Sequence, residues 1–168
     1  MRVLGIDPGS ETLGWGVVEG SGLKYSLVDF GTVKSKPREV FSKRLLKAYE
    51  GVAEIIEKFQ PDVVSIEEAF YSINVNVAMK LGQVRGVILL LAEQKGIKIA
   101  EYAPRLIKQT VVGYGNAEKQ QVGEMVRVLL RLKTVPNPHD AADALAIAIC
   151  HFHHAGIRAR IAEAKNKQ

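Results

Sequence analysis

Apolar residues fall in short runs over the first third of the chain and at helical spacing afterwards. "VLGID" (3–7) and "LGWGVVEG" (13–20) read as two short strands, with the turn chemistry of Gly9 and Ser10 between them. "GLKYSLVDFGTV" (22–33) reads as a third, entered through Gly20, Ser21 and Gly22. Such closely spaced, Gly-punctuated runs predict antiparallel hairpins. The period then changes. Phe41, Leu45, Tyr49, Val52, Ile56 and Phe59 recur every three or four residues and predict an amphipathic helix over 39–59, ended by Gln60 and Pro61. "DVVSIEE" (62–68) is apolar enough for a central strand covered on both faces. Val77, Leu81, Val84, Ile88 and Leu91 predict a second helix over 74–95, and "GIKIAEY" (96–102) a fifth strand. Pro104 can open a short helix to about Thr110, broken by Gly113 and Gly115. Further helices are expected over 117–132 and from Pro138, capped by Asn137, to about Ala155. The sum is an α/β domain: a mixed five-stranded sheet with helices on both faces.

At 168 residues the chain suits a single domain with its own core. We expect that domain over 1–155, followed by a basic, flexible tail over 156–168. Cys150 is the only cysteine and lies in an apolar run, so it reads as an inert core thiol, and an intrachain disulfide or cysteine-rich metal site is excluded. The apolar stretches read as too short to cross a bilayer and the start shows no leader pattern, which predicts a cytoplasmic protein. The formal net charge of +5 adds little until its distribution is considered. Lys34, Lys36, Arg38, Lys43, Arg44 and Lys47 form one basic region; Arg105, Lys108, Lys119, Arg127, Arg131 and Lys133 form another. Two separated regions suit a long phosphate backbone better than a small anion.

Candidate chemistry lies in carboxylates at the ends of elements. Asp7 in "GIDPGS" stands where a strand gives way to a turn, a place for a turn residue or for a site residue. In "SIEEAF" (65–70), alternation puts Ser65 and Glu67 on one face and Ile66 and Glu68 on the other, so one glutamate at most can face Asp7. In "PNPHDAADALAIAIC" (136–150), Asp140 and Asp143 share a helix face. Asp140 suits a helix start, where the dipole favours an anion. Asp143 sits among alanines and leucine with no Lys or Arg between Lys133 and Arg158. A buried carboxylate there needs a metal, a distant cation or a proton. Alanines around both acids would let the helix lie close to the sheet. Four hard oxygen donors suit Mg²⁺ or Mn²⁺ rather than zinc.

Taken together and in this order, "GIDPGS", "IEEAF", "IKQTVVGYGNAEKQQV" and "HDAADALAIAI" resemble the RuvC family of Holliday-junction resolvases, over residues 1 to about 155. The resemblance implies a ribonuclease-H-like fold, a homodimer, and Mg²⁺-dependent nicking of four-way DNA junctions in recombination and repair. It implies two metal ions per site, with Mn²⁺ able to substitute, and branch-migration motor proteins as partners. It makes Asp7, Glu67, Asp140 and Asp143 the catalytic and metal-holding acids, choosing Glu67 over Glu68, a choice that strand parity allows but does not make. Phe70 matches an aromatic that stacks on bases near the junction, and Lys108 and Lys119 match basic residues near the cut phosphate. His139, one residue before Asp140, is an auxiliary candidate or a surface residue of the helix start. Gly82 and Gly86, four apart in the second helix, suit close approach of a partner helix or packing within the chain. Two other readings stand beside this one: a noncatalytic junction-binding module of the same fold, and an actin-like ATPase or sugar kinase suggested by "GIDPGS" alone. The latter needs a second phosphate loop and a longer, two-lobed chain.

Overall fold

The computed structural model describes the backbone of residues 1–22, 24–36, 38–68 and 74–165, and side chains as far as residue 156. Five strands form one mixed sheet: β1 (Arg2–Asp7), β2 (Thr12–Ser21), β3 (Lys24–Lys34), β4 (Val63–Glu67) and β5 (Lys98–Tyr102), in the order β3-β2-β1-β4-β5. The first three are antiparallel neighbours; β1, β4 and β5 run parallel. The register pairs Asp7 with Gly14 and Gly5 with Gly16.

Helices cover both faces, as the pattern predicts. On one side lie α1 (Phe41–Phe59) and α2 (Val75–Gln94), packed on Leu4, Ile6, Val64 and Ile66. Gln60 closes α1 in the left-handed conformation, its N–H donating to the Ile56 carbonyl at 2.8 Å. Asn74 caps α2 by accepting from the N–H groups of Asn76 and Val77. On the other side lie α3 (Pro104–Val112), α4 (Lys119–Leu129) and α5 (His139–Lys165), packed on Val3, Val18 and Val63. Cys150 is buried there, its thiol pushed up to about 11 by burial, as an inert core residue should be.

Three details depart from the pattern-based expectation. The last helix begins at His139, so Pro138 precedes it, its carbonyl accepting from the Ala141 N–H, and Asn137 stands two residues ahead. That helix continues to Lys165 instead of stopping near Ala155, because Arg, Ala, Glu and Lys are all strong helix formers. Finally, α2 is 20 residues long with a mean hydropathy of 1.4 over its most apolar window, enough by length and composition to cross a membrane. It carries Lys80, Arg85 and Glu93, however, and its Val84, Ile88, Leu91 and Ala92 belong to the core under the sheet.

The long helix α5 lies against β1 and β2 at backbone distance. A side chain on Gly5 would stand 2.0 Å from the Ala144 carbonyl oxygen, and one on Gly14 would stand 1.9 Å from that of Asp140. These glycines form a floor on which the first turns of α5 rest. Alanines 141, 142, 144, 146 and 148 supply the matching low relief and are buried. The buried Ser65 hydroxyl donates to the Ile147 carbonyl at 3.2 Å, which ties α5 to β4 two residues before Glu67.

Candidate active site

Every acid singled out in the sequence sits at the same edge of the sheet. Asp7 ends β1 and Glu67 ends β4, the parallel neighbour, so both lie at carboxyl ends of adjacent central strands. They share the α5 face, as the alternation around Ser65 allows. Glu68 is exposed, and its N–H donates to the Tyr102 carbonyl at 2.9 Å. Asp140 occupies the first turn of α5 and Asp143 the next position on that face. Asp7, Glu67 and Asp143 line one cleft of about 730 Å³ with Arg105, Lys108 and Lys119. Asp140 does not line it, although its charge reaches Asp7.

The electrostatics show what holding like charges together costs. The Asp7 carboxyl is raised from the usual 3.8 to about 7, first by burial and then by Asp143 and Glu67. Glu67 is raised as well, by burial and then Asp143, with Lys119 and Lys108 pulling it back. The distant cation that Asp143 needs is Lys119, whose Nζ is 3.2 Å from Oδ2. Asp143 in turn holds the Lys119 ammonium above its usual range. Lys119 is the first residue of α4, and that start is secured by the Glu118 N–H donating to Gln121 Oε1 at 2.8 Å.

Lys108 is half-buried on α3, which follows β5 directly, and its charge acts on Glu67. His139 is exposed and is not among the cleft-lining residues, which fits the surface alternative. Phe70 lies outside the described residues. Sequence reasoning counted Arg105 only as part of a basic region, yet it lines the cleft. Its stem crosses Gly115 so closely that an added side chain there would stand 2.3 Å from Arg105 Cγ. The broken spacing "GYG" (113–115) was the available signal, and it read simply as a helix stop.

The donor set is all oxygen and anionic, the chemistry that Mg²⁺ and Mn²⁺ prefer. The raised Asp7 and Glu67 carboxyls mark a place short of positive charge, which Lys119 meets in part. Among the described residues no three such side chains stand as a ready metal-binding group, so the fit to a divalent cation rests on the chemistry and charge of the donors.

The chain is similar to known proteins in sequence and fold. The family model for the crossover junction endodeoxyribonuclease RuvC matches residues 3–151. The chain is 54% identical over 155 residues to the crossover junction endodeoxyribonuclease RuvC of Chloroflexus aggregans, covering 92% of this chain and 94% of that protein. It is 50% identical over 153 residues to that of Caldanaerobacter subterraneus subsp. tengcongensis, covering 91% and 93%. Its fold superposes with a TM-score of 0.87 on Thermus thermophilus RuvC in complex with a Holliday junction substrate, at 39% identity over 94% of this chain and 96% of that one. The mixed sheet with helices on both faces is thus the ribonuclease-H-like fold of the resolvases.

Proposed function

Because the chain belongs to the crossover junction endodeoxyribonuclease RuvC family, we propose that it resolves four-way DNA junctions by paired symmetric nicks in recombination and repair. The observation that carries this reading is the convergence of Asp7, Glu67 and Asp143 from β1, β4 and α5 on one cleft edged by Lys108 and Lys119. Asp140, one turn before Asp143, completes the acids assigned as catalytic and metal-holding. Mg²⁺ is the proposed cofactor, two ions per site with Mn²⁺ as a substitute. Held by these acids, such ions would supply activation of a water and stabilisation of the leaving 3′ oxygen of a phosphodiester.

The chain's own residues do the rest. The acids hold the cations and set their spacing. Lys108 and Lys119 bind the scissile phosphate and balance the negative charge that grows on it. Lys119 has two calls on its ammonium, Asp143 and the phosphate, so DNA and metal binding are expected to redistribute it. Phe70 is assigned to stacking on an unpaired base, worth about 1–3 kcal/mol. Arg105, beside Lys108, adds a planar donor fork suited to a neighbouring phosphate. His139 is left as an auxiliary surface group.

Two nicks related by a two-fold axis call for two copies of the site. The outer face of α2 suits that role. Val75, Met79 and Leu90 are exposed there, and a side chain on Gly82 or Gly86 would meet nothing within 4 Å in the chain. We assign this stripe to homodimer formation. A chain acting on chromosomal junctions works in the cytoplasm, alongside branch-migration motor proteins.

The decisive test is incubation with a labelled mobile four-way junction and Mg²⁺, with cuts mapped on all four strands. Paired nicks at symmetric positions are expected. Asp143→Asn should bind the junction and leave it uncut. Binding without cutting by the unaltered chain, in Mg²⁺ and in Mn²⁺, would instead make it a junction-binding module.

A further inference from the structure

Glu67 is the last residue of β4, and like charge from Asp143 pushes against its carboxylate. Two bonds fix this strand end, one closing the ladder to β5 and one from outside the sheet. The Glu68 N–H donates to the Tyr102 carbonyl, and Arg85 Nε–H donates to the Glu67 carbonyl at 3.1 Å. The Nη2 end of the same guanidinium pairs with the Glu101 carboxylate on β5. Arg85 thus reaches from α2, its side chain only 18% exposed, and bridges the ends of two adjacent strands.

The side from which it arrives matters. Neighbours Val84 and Ile88 on α2 pack with Ile66 and Ile99 on one face of the sheet, whereas the Glu67 carboxylate points to the α5 face with Asp7 and Asp143. Arg85 therefore holds the main chain of Glu67 from behind and does not enter the cleft. A cation placed in the middle of an apolar helix is costly unless paired, and both of its partners lie at the catalytic edge. Only a planar fork can serve a carbonyl through Nε and a carboxylate through Nη2 at once; a lysine ammonium is a single point on a flexible stem.

We propose that Arg85 is a positioning residue for Glu67: it fixes the end of β4 so that the glutamate meets a divalent cation at the spacing set by Asp7 and Asp143. The inference rests on the reading of Glu67 as a metal-holding acid.

The experiment compares the unaltered chain with Arg85→Lys, Arg85→Gln and Glu101→Gln. Mn²⁺ binding is followed by titration calorimetry, junction affinity is measured in EDTA, and single-turnover cleavage is followed across a Mn²⁺ series. Arg85→Lys keeps a charge for Glu101 but loses the bridge. Its Mn²⁺ affinity should fall roughly 10-fold or more, its cleavage should recover at high Mn²⁺, and its junction affinity should not move. Arg85→Gln, which leaves the partly exposed Glu101 to solvent, should lose as much and serves if the lysine variant fails to fold. Glu101→Gln retains the bond to Glu67 and should bind Mn²⁺ as the unaltered chain does. Unaltered Mn²⁺ affinity in both Arg85 variants, or equal losses in Arg85→Lys and Glu101→Gln, would overturn the proposal. If the unaltered chain bound Mn²⁺ but did not cut, the nuclease reading would fall and this one would stand.

Discussion

At Asp7 the chain accepts an unstable arrangement. A carboxyl raised from 3.8 to about 7 favours its neutral form in the folded state. Its proton is therefore bound more tightly folded than unfolded, so the contribution of Asp7 to stability is fullest below about pH 4 and is lost as pH rises through about 7. The loss in metal-free protein is up to about 4 kcal/mol. Asp7→Asn removes the titration. In EDTA its unfolding midpoint should exceed that of the unaltered chain at pH 8, and the gap should close towards pH 4. An equal gap at both pH values would mean that Asp7 is not the titrating group. Metal must displace the same proton, so Mg²⁺ affinity of the unaltered chain should rise with pH up to about 7 and then level off, measurable by calorimetry at several pH values. At this scale the sequence was legible where a residue broke its context: Asp143 among alanines, and Glu67 at the end of an apolar strand. Arg85 breaks context too, a guanidinium within an apolar helix, but nothing in the sequence says which carbonyl it will find.

Helix α5 carries two of the four acids, and its closeness to the sheet sets their reach towards Asp7. That closeness depends on glycines on β1 and β2 as much as on the alanines of the helix. Gly14 pairs with Asp7 in the sheet and faces the Asp140 carbonyl in the helix. Gly14→Ala would place a methyl group against backbone that cannot yield without moving the whole helix start. Overpacking of this kind costs about 1–3 kcal/mol, to be read from urea unfolding. Cleavage should fall further than stability, because Asp140 and Asp143 move away from Asp7. A variant with unaltered cleavage would show that the helix start has slack. The alanines announced this packing in the sequence, whereas Gly5 and Gly14 passed as ordinary strand positions, since a register that brings Gly14 beside Asp7 is a property of the paired strands.

At the scale of the whole molecule, the proposed homodimer would turn one cleft into two. The exposed Val75, Met79 and Leu90 line up with Gly82 and Gly86 on the side of α2 away from the core. Leu90→Glu should yield a folded monomer by sedimentation equilibrium and should replace coupled, symmetric cuts with scattered single nicks. A dimer that persists in this variant would move the two-fold contact elsewhere. The order of strands and helices, the acids and the basic regions were determined by the sequence, because hydrophobic period, turn chemistry and charge act locally along the chain. The meeting of Asp7, Glu67 and Asp143, the pairing of Lys119 with Asp143, and the bridge from Arg85 to β4 and β5 were decided by the tertiary structure. Each joins residues far apart in the chain, and only strand register and backbone-close packing of α5 bring their charges within reach of one another.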